Sequence, residues 1–114
     1  MDYLNYEERR KVVDTTTANI AQDVAQRGYS CGSFKSTDKE LHNSIKLCLK
    51  GRYGIVTVEC DGLEENEILF IPEFYDERRR ERIIRKFRRE KEEIKKLLSE
   101  SANALLEILN NIFS

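Results

Sequence analysis

The sequence predicts an α+β fold: an N-terminal helix, a small central antiparallel sheet built on a β-hairpin, and a long C-terminal amphipathic helix. Three observations predict it. Residues 76–113 contain neither Gly nor Pro and carry an apolar stripe at helical spacing. Segments 53–60 and 67–71 are rich in β-forming residues and are joined through the turn dipeptide Asp61-Gly62. Asn5 followed by Glu8 has the spacing of a reciprocal helix cap, and a helical pattern runs from there to Gln26 before Gly28.

In the first helix, Tyr6, Val13, Ile20 and Val24 lie near one face with Thr16, Thr17 and Ala21 beside them. The run Thr15-Thr16-Thr17 has poor helix propensity, so this helix needs packing to hold it. The stripe of the C-terminal helix is its expected partner. Residues 29–36 are rich in Gly and Ser around Phe34 and read as a loop or a short edge strand.

Two patterns compete over 37–50. Thr37 with Glu40 forms a capping pair, and Leu41, Ile45, Cys48 and Leu49 define a helical face that ends before Gly51. Ile45, Leu47 and Leu49 also alternate as a half-buried strand does. Helix is favoured over 38–43, and 44–50 fits either state. Ile55, Val56, Thr57 and Val58 make 53–60 the clearest strand; 67–71 is the second, stopped by Pro72. Two strands alone are marginal in water, so the hairpin requires helices beneath it or a third strand from 33–36 or 44–50.

The long helix organises the rest. Ile84, Phe87, Ile94, Leu98, Leu105, Ile108 and Ile112 fall on alternating steps of three and four, with Lys91 and Ser101 in the gaps. That is the period of a coiled-coil seam. Ile83, Leu97, Ala102, Leu109 and Phe113 widen it. Asp76 is the expected N-cap. Ser99, Ser101 and Asn103 are the weakest helix formers and mark where a bend is expected if the helix has one. An unbroken helix over 76–113 spans roughly 57 Å, whereas a compact chain of this length has a radius of gyration of only about 13 Å. Such a helix outgrows the body it belongs to.

A chain of 114 residues, 39% hydrophobic and 36% charged, suits a single domain (1–114) with one modest core. The net charge of −1 conceals segregation: 78–91 holds nine bases and two acids, while 53–77 holds eight acids and no Lys or Arg. The three cysteines, Cys31, Cys48 and Cys60, have no disulfide-framework spacing, which points to a reducing, cytoplasmic location. Residues 1–6 do not resemble a secretory leader, and no apolar run approaches membrane-spanning length, so no membrane partner is expected.

The residues that carry chemistry elsewhere do not assemble here. Cys31, His42, Cys48 and Cys60 lack the tight knuckle of a zinc site, and His42, in a polar stretch, reads as exposed. The acids Glu59, Asp61, Glu64, Glu65 and Glu67 lack the ligand ladder of a calcium loop and read as a solvent-facing turn. The glycines form no phosphate-cradling motif. No cofactor, no metal and no enzymatic activity are expected.

Two surfaces remain. Ile94, Leu98, Leu105, Ile108 and Ile112 are the expected oligomer interface of a homodimer or higher homo-oligomer acting as a protein-binding adaptor, inhibitor or regulator. Arg78, Arg82, Arg85 and Arg89, spaced 4, 3 and 4 with Arg79, Lys86 and Arg88 beside them, line one helix face and give the alternative, a nucleic-acid-binding regulator. The same arginines also suit a solvated face or pairing with the acids of 59–77.

Overall fold

The computed structural model describes residues 5–34, 39–74 and 76–113. Its elements are α1 (Tyr6–Arg27), β1 (Ser30–Ser33), α2 (Lys39–Cys48), a π-helical turn (Leu49–Tyr53), β2 (Ile55–Val58), β3 (Glu67–Pro72) and α3 (Glu77–Phe113). This is the α+β arrangement expected, with the hairpin enlarged to three antiparallel strands in the order β1-β3-β2.

The start and stop of α1 follow from its ends. The Asn5 side chain accepts the Glu8 N–H at 2.8 Å, and the Asn5 N–H donates to the Glu8 carboxylate at 3.3 Å. Gly28 closes the helix at φ +89°, donating its N–H to the Val24 carbonyl at 2.8 Å. A Cβ at Gly28 would stand 3.0 Å from Ile83 Cδ1, so both the left-handed backbone and the approach of α3 require glycine there.

The central strand β3 shows how the layers stack. Its run Ile68-Leu69-Phe70-Ile71 does not alternate with polar residues because both of its faces are covered. Phe70 packs with Ile20, Val24, Ile45, Leu49 and Ile55 beneath α1 and α2. Leu69 and Ile71 pack with Tyr29 and Phe87 beneath α3. The register sets Cys31 and Val58 on either side of Leu69.

This layering corrects two expectations. The apolar face of α1 does not meet the stripe of α3; it packs on α2, the π-helical turn and the sheet, which lies between the two helical layers. Segment 44–50 is helical to Cys48 and then widens into the π-helical turn, ending at Gly54 with φ +63°. Ile45 and Leu49 are buried while Leu47 is 72% exposed, a one-turn spacing rather than the alternation of a strand. The third strand is β1, which adds to the free edge of β3. The capping pair expected at Thr37 lies outside the described residues.

The helix α3 is unbroken through Ser99, Ser101 and Asn103. Asp76 caps it, its side chain accepting the Arg78 N–H at 3.0 Å. The molecule extends 59 Å along its long axis with a radius of gyration of 18.3 Å, well above the ~13 Å of a compact chain this size. No described helix is long and apolar enough to cross a membrane.

Candidate functional site

The site is α3 itself, and its two halves are placed differently. Over the first half, Phe87 is buried edge-on against Tyr29, ring centroids 5.4 Å apart, with Ile83 and Ile84 packed around the same cluster. Two polar clasps flank it. In the first, Tyr29 donates its hydroxyl to Glu90 at 2.6 Å and accepts from Arg27 at 2.8 Å, while Lys86 donates to the Arg27 carbonyl at 2.6 Å. Burial first, then donation to Glu90, pushes the Tyr29 hydroxyl above its usual pKa. The Tyr29 hydrogen bond pulls the Glu90 carboxyl below its own.

The second clasp joins the sheet to the helix. Lys91 reaches the Glu67 carboxylate and also donates to the Gly62 carbonyl at 2.5 Å. Glu67 accepts the Glu64 N–H at 2.6 Å and the Cys31 thiol at 3.4 Å. Lys91, with the Glu64 N–H second, holds the Glu67 carboxyl below its usual range. Burial works to lower Lys91, but the Glu67 hydrogen bond and charge outweigh it and raise the ammonium overall. Burial, reinforced by Glu67, pushes the Cys31 thiol up to about 11, which suppresses the thiolate a nucleophile needs.

Glu67 is therefore not part of a wholly solvent-facing turn. Its exposed neighbours Asp61 and Glu64 also meet α3, through Arg88 at 3.9 Å and Lys95 at 4.0 Å. His42 is half-buried rather than exposed, its ring edge-on to Phe34 at 5.4 Å between centroids.

Beyond Lys91 the helix leaves the sheet, and every described residue from Glu92 to Phe113 is exposed. The residues expected to form the oligomer interface all lie here: Ile94 is 52% exposed, Leu98 66%, Leu105 58%, Ile108 55% and Ile112 65%. Leu97, Leu106, Leu109 and Phe113 are exposed around them.

The basic residues divide as well. Arg78, Arg79, Arg82, Arg85 and Arg89 are exposed, and none makes an ion pair within 4.0 Å among the described residues. Lys86 is half-buried and engaged by the Arg27 carbonyl and by Glu90, at 3.7 Å. Of the acids of 59–77, Asp61, Glu67 and Glu64 go instead to Arg88, Lys91 and Lys95. Sequence reasoning treated Lys91 as a gap in the seam and missed it as a clasp. A lone lysine at a core position of an apolar stripe was the available signal, since such a charge requires a buried partner.

Comparison with protein-family models, curated proteins and solved structures found no match to this chain.

Proposed function

We propose that the protein is a non-enzymatic binding module, an adaptor, inhibitor or regulator of another macromolecule, that self-associates through the C-terminal half of α3. The observation that carries this reading is the bare seam Ile94, Leu98, Leu105, Ile108 and Ile112, each more than half exposed among the described residues. Most helical stability in proteins comes from packing an amphipathic face. Each Leu or Ile taken from water contributes up to about 1.5–3 kcal/mol, whereas an exposed ion pair contributes about 0–1 kcal/mol. Apolar burial is thus the dominant force available to this half of the molecule. The ionisable cluster Cys31, Glu67 and Lys91 is engaged in joining sheet to helix, which favours a binding role over catalysis. The three free thiols suit a cytoplasmic setting.

Light scattering on the intact chain and on a variant carrying both Leu98→Glu and Leu105→Glu tests it. The intact chain is expected to run as a dimer or larger, and the variant as a folded monomer. A clean monomer of the intact chain at high micromolar concentration contradicts the reading.

A second reading is favoured by the unpaired guanidinium face. Arg78, Arg79, Arg82, Arg85 and Arg89 offer a line of cations to a phosphate backbone. On this reading the protein is a nucleic-acid-binding regulator. Retention of DNA or RNA that weakens steeply from low to physiological salt supports it; no retention at low salt removes it.

A further inference from the structure

Resting on the self-association just proposed, we infer that two chains pair along the bare half of α3 in antiparallel orientation, with the two-fold axis at the level of Asn103.

The first ground is steric. Phe87, Ile94, Ser101 and Ile108 recur at intervals of seven and so lie on one line along the helix. The chain's own sheet occupies that line at Phe87, which packs against Tyr29, Leu69 and Ile71. A second α3 running parallel along Ile94 and Ile108 would, continued toward its N-terminus, meet the sheet of the first chain, and its own sheet would meet the first helix. Run antiparallel, the second helix brings its last described turn, 110–113, to the level of Ile94, and its own sheet lies at the opposite end. The two bodies then sit at opposite ends of the paired segment.

The second ground is register. In an antiparallel pair the two lines of the seam face one another. Centring on Asn103 sets Ile94 against the partner's Ile112, Leu98 against the partner's Ile108 and Ser101 against the partner's Leu105, and symmetry repeats all three. Every bare seam residue is then used. Sliding by one heptad toward the body sets the partner's Ile112 against Phe87, which the sheet already covers. Sliding the other way sets Ile94 and Leu98 beyond the partner's Phe113, outside the described seam.

The third ground is size. Ser101, Ala102 and Ala104 surround the proposed axis, while Ile and Leu occupy its two flanks. Small side chains at the crossing let the helix axes approach, because interaxial distance follows the residues at the contact. The central serine faces a leucine, a small group opposite a large one.

One consequence bears on the basic face. The arginine-rich segments of the two chains lie at the far ends of the rod, roughly 57 Å apart at ~1.5 Å per residue measured between their midpoints, rather than side by side.

Charge-swapped seam residues test the orientation. Leu98→Glu or Ile108→Lys alone leaves one unpaired charge at each buried layer it enters, and each is expected to weaken dimerisation by ~100-fold or more in sedimentation velocity. The chain carrying both sets Glu against Lys across the antiparallel interface, and is expected to regain at least ~10-fold over either single variant. The two positions are too far apart on one helix to pair within a chain. A parallel pair would set Glu against Glu and Lys against Lys, so a double variant weaker than both singles overturns the inference.

Oxidative cross-linking of mixed Ile94→Cys and Ile112→Cys chains gives a second measurement, with peptide mapping to separate products of Cys31, Cys48 and Cys60. A 94-to-112 link is expected, and predominant 94-to-94 and 112-to-112 links overturn the inference. An intact chain that never dimerises removes the proposed self-association as well. A parallel dimer, or a chain that instead pairs only with an unlike protein, removes the antiparallel pairing.

Discussion

Along residues 84–91 the seam of α3 packs on the cluster of Tyr29, Leu69 and Ile71; along 94–112 the same seam, in the same heptad register, is exposed among the described residues. The two halves are alike in period and in apolar residue type. The difference lies in the reach of the sheet. Strands of four to six residues extend only ~13–20 Å, and three of them side by side about as far again, whereas α3 has 37 residues and extends roughly 55 Å. A stripe specifies which face must be covered; the size of the neighbouring element decides how much of it is covered within the chain. The clasp at Lys91 falls where the sheet ends, and the helix is uncovered from the next residue onward.

Substitutions on either side of that boundary sharpen the comparison. Phe87→Ala removes a buried ring and is expected to cost about 3–5 kcal/mol of folding stability in denaturant titration. Leu105→Ala, in dilute solution where chains are apart, is expected to change it by no more than about 0.5 kcal/mol. Equal losses at the two positions would break the distinction between the halves.

Glu67→Gln, which strips the charged acceptor from Lys91, is expected to cost about 1.5–3 kcal/mol, since Lys91 is only 19% exposed and loses a charge-assisted bond. The pH dependence follows from the same groups. Glu67 and Glu90 have folded pKa values below the ordinary 4.5, so their stabilisation is present above that value and is lost as pH falls through the folded values. Lys91 is raised above 10.5, so its contribution is present below that value and is lost as pH rises through the folded one. Thermal unfolding at stepped pH should show the acid loss diminished in Glu67→Gln.

Gly28→Ala forces a side chain into a left-handed backbone facing Ile83 and is expected to cost about 1–2 kcal/mol. The smallest effect is expected from Arg82→Ala with Arg85→Ala, within about 0.5 kcal/mol in folding stability because both side chains are exposed and neither makes an ion pair among the described residues. On the nucleic-acid reading the same pair of changes should lower retention and its salt dependence.

Much of this architecture was legible in the residues. The Asn5–Glu8 cap, the Gly28 stop, the Asp76 cap and both hairpin strands are written in local chemistry, and the structure contains each of them. The third strand was harder, because Ser30–Ser33 carries no β-branched residue and is a strand only through its pairing with β3. The partner of α1 was misread because periodicity names a face and not what lies against it; the two-sided burial of Ile68-Leu69-Phe70-Ile71 was the signal that helices stack on both sides of the sheet. Leu47 looked like part of a strand until its exposure separated it from Ile45 and Leu49. At the candidate site, the seam residues and the arginines were readable from spacing. The division of α3 at Lys91 was not, because it depends on where the sheet runs out.

Amide hydrogen exchange along α3, compared at high and low protein concentration, reads directly whether a second chain covers 94–112. Amides of 79–91 are expected to be protected at both concentrations, while those of 94–112 are protected at high concentration and exchange rapidly on dilution and in the Leu98→Glu, Leu105→Glu variant. Exchange over 94–112 that is the same at both concentrations and in the variant would contradict the proposed self-association.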